Sequence, residues 1–276
     1  MTAVRRLSFL ALCLAVLTSC VGIDIAAQSE QARGSFERTL TVSGPVELSV
    51  RTGSGDIQIR TGEGNRIQVL GRIRASESRR TSLSPSERVR RVEAEPPIVQ
   101  NGNTISIGET NGDELYNNVS ISYELVVPAN TQLSANTGSG NQSIGSVNGG
   151  VRARTGSGDI HIERTGGSLS AQTGSGDIRV ASVGGEVRAQ TGSGDIYVTQ
   201  ITKADVNVQT GSGDVTLQLP SDAAYSLEAS TGSGSINTAQ PVTMQGRIRR
   251  NHVEGTVRGG GNLVRIRTGS GSIDIR

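Results

Sequence analysis

The chain has 276 residues, with 27 Lys and Arg against 25 Asp and Glu, and a formal charge of +2 leaves no electrostatic footprint for nucleic acid. Its 37 glycines, two Phe and absence of Trp exclude a globule built on aromatic bulk. A narrow core of Val, Ile, Leu, Ala and Thr suits this composition.

From the N-terminus, Arg5 and Arg6 precede an apolar run over 7–17 (LSFLALCLAVL). That run is too short to span a bilayer as a helix and has the pattern of an export signal. It leads into Leu17-Thr18-Ser19-Cys20, which resembles the lipobox of bacterial lipoproteins, where the Cys is acylated through sulfur and becomes the mature N-terminus. Cys13 lies within the discarded run, so Cys20 is the one mature thiol and no intrachain disulfide can form. The expected organisation is a signal peptide over 1–19, a flexible tether over 20–35 and one β-domain over 36–276. Membrane attachment through lipid on Cys20 follows, and Val21 in place of an Asp points to the outer membrane. Cleavage near Ala26-Ala27-Gln28 would instead release a soluble secreted protein.

Within the domain the sequence Thr-Gly-Ser-Gly begins at Thr52, Thr137, Thr155, Thr173, Thr191, Thr210, Thr231 and Thr268. A degenerate copy starts at Thr61. Between Thr52 and Thr137 lies an irregular stretch over 75–118. There Ser84-Pro85-Ser86-Glu87 has the form of a capping box with Pro in the first turn, which predicts a short helix ending before Pro96-Pro97. Ile105–Ile107 and Val119–Val127 read as strands. From Thr137 the motif recurs at steps of 18, 18, 18, 19, 21 and 37 residues, a period that marks a repeat architecture. The residues four and two before each Thr are apolar (Val151 and Ala153, Leu169 and Ala171), and those between are polar (Arg152, Ser170). Apolar residues recur five and seven after it (Ile160 and Ile162, Ile178 and Val180). Period two on both sides of a glycine turn means two short half-buried strands per repeat. Propeller blades need about 40 residues each, so each repeat of about eighteen residues is read as one coil of a parallel β-solenoid of about ten coils. Gln172, Gln190 and Gln209 then share one outward position.

The stretch over 120–137 (SISYELVVPANTQLSANT), followed by reiterated Thr-Gly-Ser-Gly-Asp-Ile, resembles a bacterial adhesin-like family of domains of unknown function. The resemblance covers residues 36–276 and implies a parallel β-solenoid in the cell envelope. Its label does not establish a function.

Three constellations bear on chemistry. Asp159, Asp177, Asp195 and Asp214 follow consecutive turns, with Asp56 earlier, and stacked carboxylates could chelate calcium. Asn141, Ser235 and Ser272 at equivalent positions favour a structural reading, an Asx or Ser turn. Secondly, His161 and His252 are the only histidines, and no Ser has a visible base and orienter, so no catalytic residue is expected. Thirdly, Arg79, Arg80, Arg88, Arg90 and Arg91 form a candidate basic patch for anionic headgroups or polysaccharide, with a solvated helix face as the plain alternative. The sequence therefore predicts a non-enzymatic, lipid-anchored envelope scaffold without cofactor, meeting an unidentified protein or polysaccharide and no nucleic acid. A calcium- or glycan-dependent lectin or enzyme and an envelope sensor domain are the alternatives.

Overall fold

The structure, a computed structural model, describes residues 31–110, 112–244 and 251–276. The expected signal peptide and Cys20 lie outside the described residues. Every repeat alternates as the sequence requires. In Val151–Ser157 the side chains of Val151, Ala153 and Thr155 are buried, while Arg152 and Arg154 are exposed. The inward side chains form one continuous core of Val, Ile, Leu, Ala and Thr between two large, mostly parallel sheets of twelve and eleven strands.

Among the described residues nine coils each give one strand to the first sheet and one to the second. In chain order they are coil 1 (Val46–Ser54, Ile57–Gly62), coil 2 (Thr104–Ile107, Val119–Pro128), coil 3 (Thr131–Ser139, Gln142–Val147) and coil 4 (Val151–Ser157, Ile160–Thr165). Coils 5 (Leu169–Ser175, Ile178–Val183), 6 (Val187–Ser193, Ile196–Gln200) and 7 (Val206–Ser212, Val215–Gln218) follow. Coils 8 (Tyr225–Ser233, Ile236–Thr238) and 9 (Asn262–Ser270, Ile273–Ile275) complete the set. Register is residue for residue in the middle of the first sheet: Thr155 lies between Thr137 and Thr173, and Ala153 between Ala135 and Ala171.

The stacking order departs from the chain order at both ends. Coil 1 pairs with coil 2 on one side and coil 3 on the other, so Thr52 lies directly beside Thr137 despite 84 intervening residues (137 − 52 − 1). Coil 9 sits between coils 7 and 8, with Thr268 beside both Thr210 and Thr231. The spatial order is therefore 2-1-3-4-5-6-7-9-8, where the sequence suggested about ten coils in succession. The final step of 37 residues is a return path, not two units. Strand His252–Val257 runs antiparallel to Tyr225–Ser233 and carries the chain back to enter the stack one coil earlier. The degenerate copy at Thr61 makes no coil corner of the motif type. It ends coil 1 and leads out into strand Arg66–Ser76.

Strands outside the repeat extend both ends. Arg66–Ser76 pairs antiparallel with Val119–Pro128, and Gln31–Thr41 pairs with Arg66–Ser76. The tether expected over 20–35 is thus strand from Gln31 onward. It is held because Phe36 packs on Gly71, where a Cβ would lie 2.2 Å from the ring, and meets Tyr123 edge to face at 6.5 Å. Helix α1 (Pro85–Ala94) covers this end. The Ser84 hydroxyl accepts from Glu87 N–H at 3.2 Å, the expected cap. Its reciprocal half is absent, because the Glu87 carboxylate is gripped by Arg90 and Arg91. Burial of Val89 and Val92, and the bond from Ser35 N–H to Glu93 Oε1 at 2.8 Å, seat the helix on Gln31–Thr41.

This order sets up a comparison of two deletions. Removing Gly174–Thr191 excises one repeat and rejoins coils 5 and 6 in register, so a stack whose stability sums over units and neighbours should stay folded. Removing 262–276 takes out coil 9, which separates coils 7 and 8. Thermal denaturation should find the excised protein only about 2–8 °C less stable, and hydrogen exchange should find the amides of Tyr225–Ser233 that face coil 9 unprotected in the truncated one alone. Equal protection of those amides in both would contradict the intercalated order.

Candidate functional site

The eight Thr-Gly-Ser-Gly copies line up along one edge of the stack, where the Thr hydroxyl and the Asp or Asn after the motif bond to a neighbouring coil. The Thr side chain points inward and its Oγ1 donates to the carbonyl of the last motif glycine one coil away. The bonds are Thr155 to Gly140 at 3.1 Å, and Thr173 to Gly158, Thr191 to Gly176 and Thr210 to Gly194 at 3.0 Å. The pattern survives the exchanged end, with Thr268 donating to Gly213 at 3.0 Å and Thr231 to Gly271 at 2.8 Å. The last glycine is fixed by geometry. Gly176 has φ +143°, and a Cβ there would lie 2.1 Å from the Gly158 carbonyl oxygen.

The aspartates complete the same device. Asp177 N–H donates to Asp159 Oδ1 at 2.9 Å, Asp195 N–H to Asp177 Oδ1 at 2.8 Å and Asp214 N–H to Asp195 Oδ1 at 2.8 Å. Asn141 plays the part of Asp for Asp159 N–H at 2.9 Å, and Asp214 serves Ser272 N–H at 2.7 Å. The local Asx turn expected from the sequence is thus replaced by a bond between coils. Because the corners stack in register, each amide faces the carboxylate of the coil beside it. With Oδ1 of Asp159, Asp177, Asp195 and Asp214 each accepting from the next coil, these four make a hydrogen-bond ladder between coils. Among the described residues no three His, Cys, Asp or Glu side chains are grouped as metal ligands would be.

One member of the candidate basic patch is withdrawn from the surface. Arg88 is fully buried, its guanidinium donating to the carbonyls of Asn117 and Ser76 with Nε unpaired. Arg90 and Arg91 hold Glu87, whose carboxyl is lowered from its usual range chiefly by the Arg90 hydrogen bond, and Arg79 and Arg80 lie in a turn before α1. The signal for Arg88 was present in the sequence. Pro85, Arg88, Val89 and Val92 recur at helical spacing and are the buried face of α1. The two histidines stand apart, His161 exposed on the second sheet and His252 3.7 Å from Glu254.

What remains open is the outward side of the first sheet. A groove of about 390 Å³ crosses it, floored by short side chains such as Ser49, Ser134 and Ser170, with Arg152 at its centre and Glu47 and Glu186 towards its ends. The sequence displayed these residues only as polar alternates, because their association runs across coils and not along the chain. Farther along the sheet, Glu228 of coil 8 is clamped by Arg265 and Arg267 of coil 9 at 2.7 and 2.8 Å, and the Arg267 hydrogen bond leads in lowering its pKa.

The family described as Toastrack DUF4097 matches over residues 39–181 and again over 168–276. The overlap falls at coil 5. No curated relative matches the chain in sequence. Among solved structures, the chain is similar to a candidate cell adhesion protein from Clostridium sporogenes, at 17% identity and TM-score 0.34, covering 88% of this chain and 99% of that one. A candidate adhesin from Bacteroides fragilis follows at 11% and 0.44, covering 88% and 97%. A candidate lipid-binding protein from Parabacteroides distasonis gives 12% and 0.33, covering 88% and 96%.

The corner analysis predicts a graded series. Asp177→Asn keeps an Oδ1 acceptor, as Asn141 does, and should leave urea denaturation nearly unchanged. Asp177→Ala strands the Asp195 amide and should cost about 0.5–1.5 kcal/mol. Gly176→Ala combines a glycine-only backbone at about 1–3 kcal/mol with a clash against the next coil, so it should be the most damaging of the three. A separate pair concerns α1: Arg88→Met, which leaves two interior carbonyls without a donor, should cost about 1–3 kcal/mol. Arg90→Met should fall within about 0.5 kcal/mol of the parent in the same assay.

Proposed function

The chain belongs to the Toastrack DUF4097 family, and from that premise and the geometry of its stack we propose that it is a non-enzymatic binding scaffold of the cell envelope, held to a membrane by lipid on Cys20. The observation that carries this reading is the use of the repeated motif. Its hydroxyls, glycines and carboxylates are committed to adjacent coils, so the most repeated residues build the rod and the variable outward positions are left to meet a partner. A flat, regular face held on a stiff core suits binding over an extended area better than chemistry at a point. No helix among the described residues is long and apolar enough to cross a membrane. Among the described residues the exposed large apolar side chains Val99, Ile201 and Leu263 belong to separate strands and loops, and the lipobox-like Leu17-Thr18-Ser19-Cys20 supports attachment through the N-terminal segment.

Acyl chains anchor by about 0.8 kcal/mol per buried CH₂. Cys20→Ser should therefore move the protein from the salt-washed membrane fraction to the soluble fraction, as followed by immunoblot. A Ser variant that stays with the membranes would sink the lipid anchor. For the scaffold itself, pull-down of glycans and envelope proteins with the full mature chain should capture a partner equally with and without calcium. A partner that requires calcium, together with a calcium-dependent rise in melting temperature, would return the Asp ladder to the status of a metal site.

A further inference from the structure

We propose that the outward side of the first sheet carries a binding site for an extended polysaccharide bearing acidic groups at intervals, centred on Arg152 and Arg154. The proposal rests on the scaffold reading and names its ligand class and its face. The two arginines stand two residues apart on one strand, so both project from the same side of the sheet, about 7 Å apart. Register places Ser134 and Ser170 on either side of Arg152, and Asn136 and Gln172 on either side of Arg154. The result is a two-by-three array, cations in the middle and neutral hydrogen-bonding groups on both flanks, with no carboxylate in it. Other arginines of this face are neutralised: Arg188 holds Glu186 at 2.8 Å, and Arg265 and Arg267 share Glu228. Arg152 and Arg154 form no ion pair among the described residues. An uncompensated cation pair, with Arg152 lining the groove and Arg154 beside it on the same strand, concentrates anionic partners there.

The groove also selects among anions. Arg152 occupies its middle, and Glu47 and Glu186 flank it towards the two ends, four coil spacings or about 19 Å apart. A uniformly charged polymer or an anionic bilayer laid along this line would meet the Glu47 carboxylate and be repelled there, Glu186 being already held by Arg188. A glycan with intermittent acid groups would not, because its hydroxyls donate to Glu47 while a carboxylate reaches the arginines as a charge-assisted pair. Single-stranded nucleic acid is disfavoured further, since stacking on bases needs aromatic platforms and this array has none. The trough follows from the sequence: in one outward column Ser106, Ser49 and Ser134 precede Arg152 and Ser170 follows it, so a chain running parallel to the rod meets short side chains on either side of the arginine.

The test uses the full mature chain and hyaluronan, in which every second sugar carries a carboxylate. Uncharged dextran, dextran sulfate and phosphatidylserine vesicles are the comparisons. Wild type should bind hyaluronan and not dextran. R152A/R154A should weaken hyaluronan binding about tenfold or more with an unchanged melting temperature. R164A/R179A, which removes the same charge from the second sheet, should bind like wild type. Three results overturn the proposal: retention by R152A/R154A, equal loss in both double variants, or binding that ranks by charge density with dextran sulfate or the vesicles foremost. If no glycan binds while the pull-down still captures a protein through another face, this site falls and the scaffold reading stands.

Discussion

At the motif edge of the rod, glycine backbone lies directly on glycine backbone, with the Cβ that any other residue would carry placed 2.1–2.5 Å from a carbonyl oxygen of the next coil. Sheet spacing leaves about 4.8 Å between strands, and a corner that turns the chain without breaking that spacing has no room for side chains. Much else follows from this. The corner carbonyl exposed by the turn is satisfied by the inward Thr hydroxyl, and the amide following the turn is satisfied by the carboxylate one coil away. Because each bond reaches to a neighbour, a coil completes its hydrogen bonding only beside another of the same shape. That is the physical reason for the repetition of Thr-Gly-Ser-Gly-Asp, and it also keeps the core shallow, with the buried rings Phe36, Tyr123 and Tyr225 lying towards the two ends of the stack.

Much of this was legible in the sequence. Alternation of period two around a glycine turn gives the strands and their inward faces, and the Ser84-Pro85 start locates helix α1. What stayed hidden has a common cause, which is that sequence spacing is silent about partners far along the chain. A gap of 37 residues has the same length whether it makes two coils or a hairpin that returns, so the exchanged order at coils 8 and 9 could not be read. Coil 2 lacks the motif altogether, because its two strands are separated by the loop over 108–118, and only pairing with coil 1 reveals it. The Asp residues were recognised as structural, but residue type alone does not say whether an oxygen meets its own turn or the adjacent coil. Arg88 read as one of a run of surface cations, although its place in the helical period puts it under the helix.

The candidate site was the least legible part. Arg152, Ser134 and Ser170 are eighteen residues apart and become neighbours only when the coils are stacked. In a repeat of this kind the invariant positions carry the architecture, while the positions free to differ lie outward, where a partner can meet them. A motif search directed at the most repeated residues therefore converges on the frame. Chemistry of recognition has to be sought by reading each outward column from coil to coil, as one reads down a page.

The intercalation of coil 9 also has a consequence in time. Synthesis delivers the chain from the N-terminus, and domains ordinarily begin to fold in that order. Here coil 8 leaves the ribosome before coil 9, the coil that it pairs with in the finished rod. Until residues 262–276 are available, coil 8 has only strand His252–Val257 beside it and no neighbouring coil, and coil 7 presents an open edge at each of its two strands. The stack cannot be joined at this end by any nascent fragment that lacks 262–276. Such a rod is kept unfinished, and hence threadable, until coil 9 has been delivered.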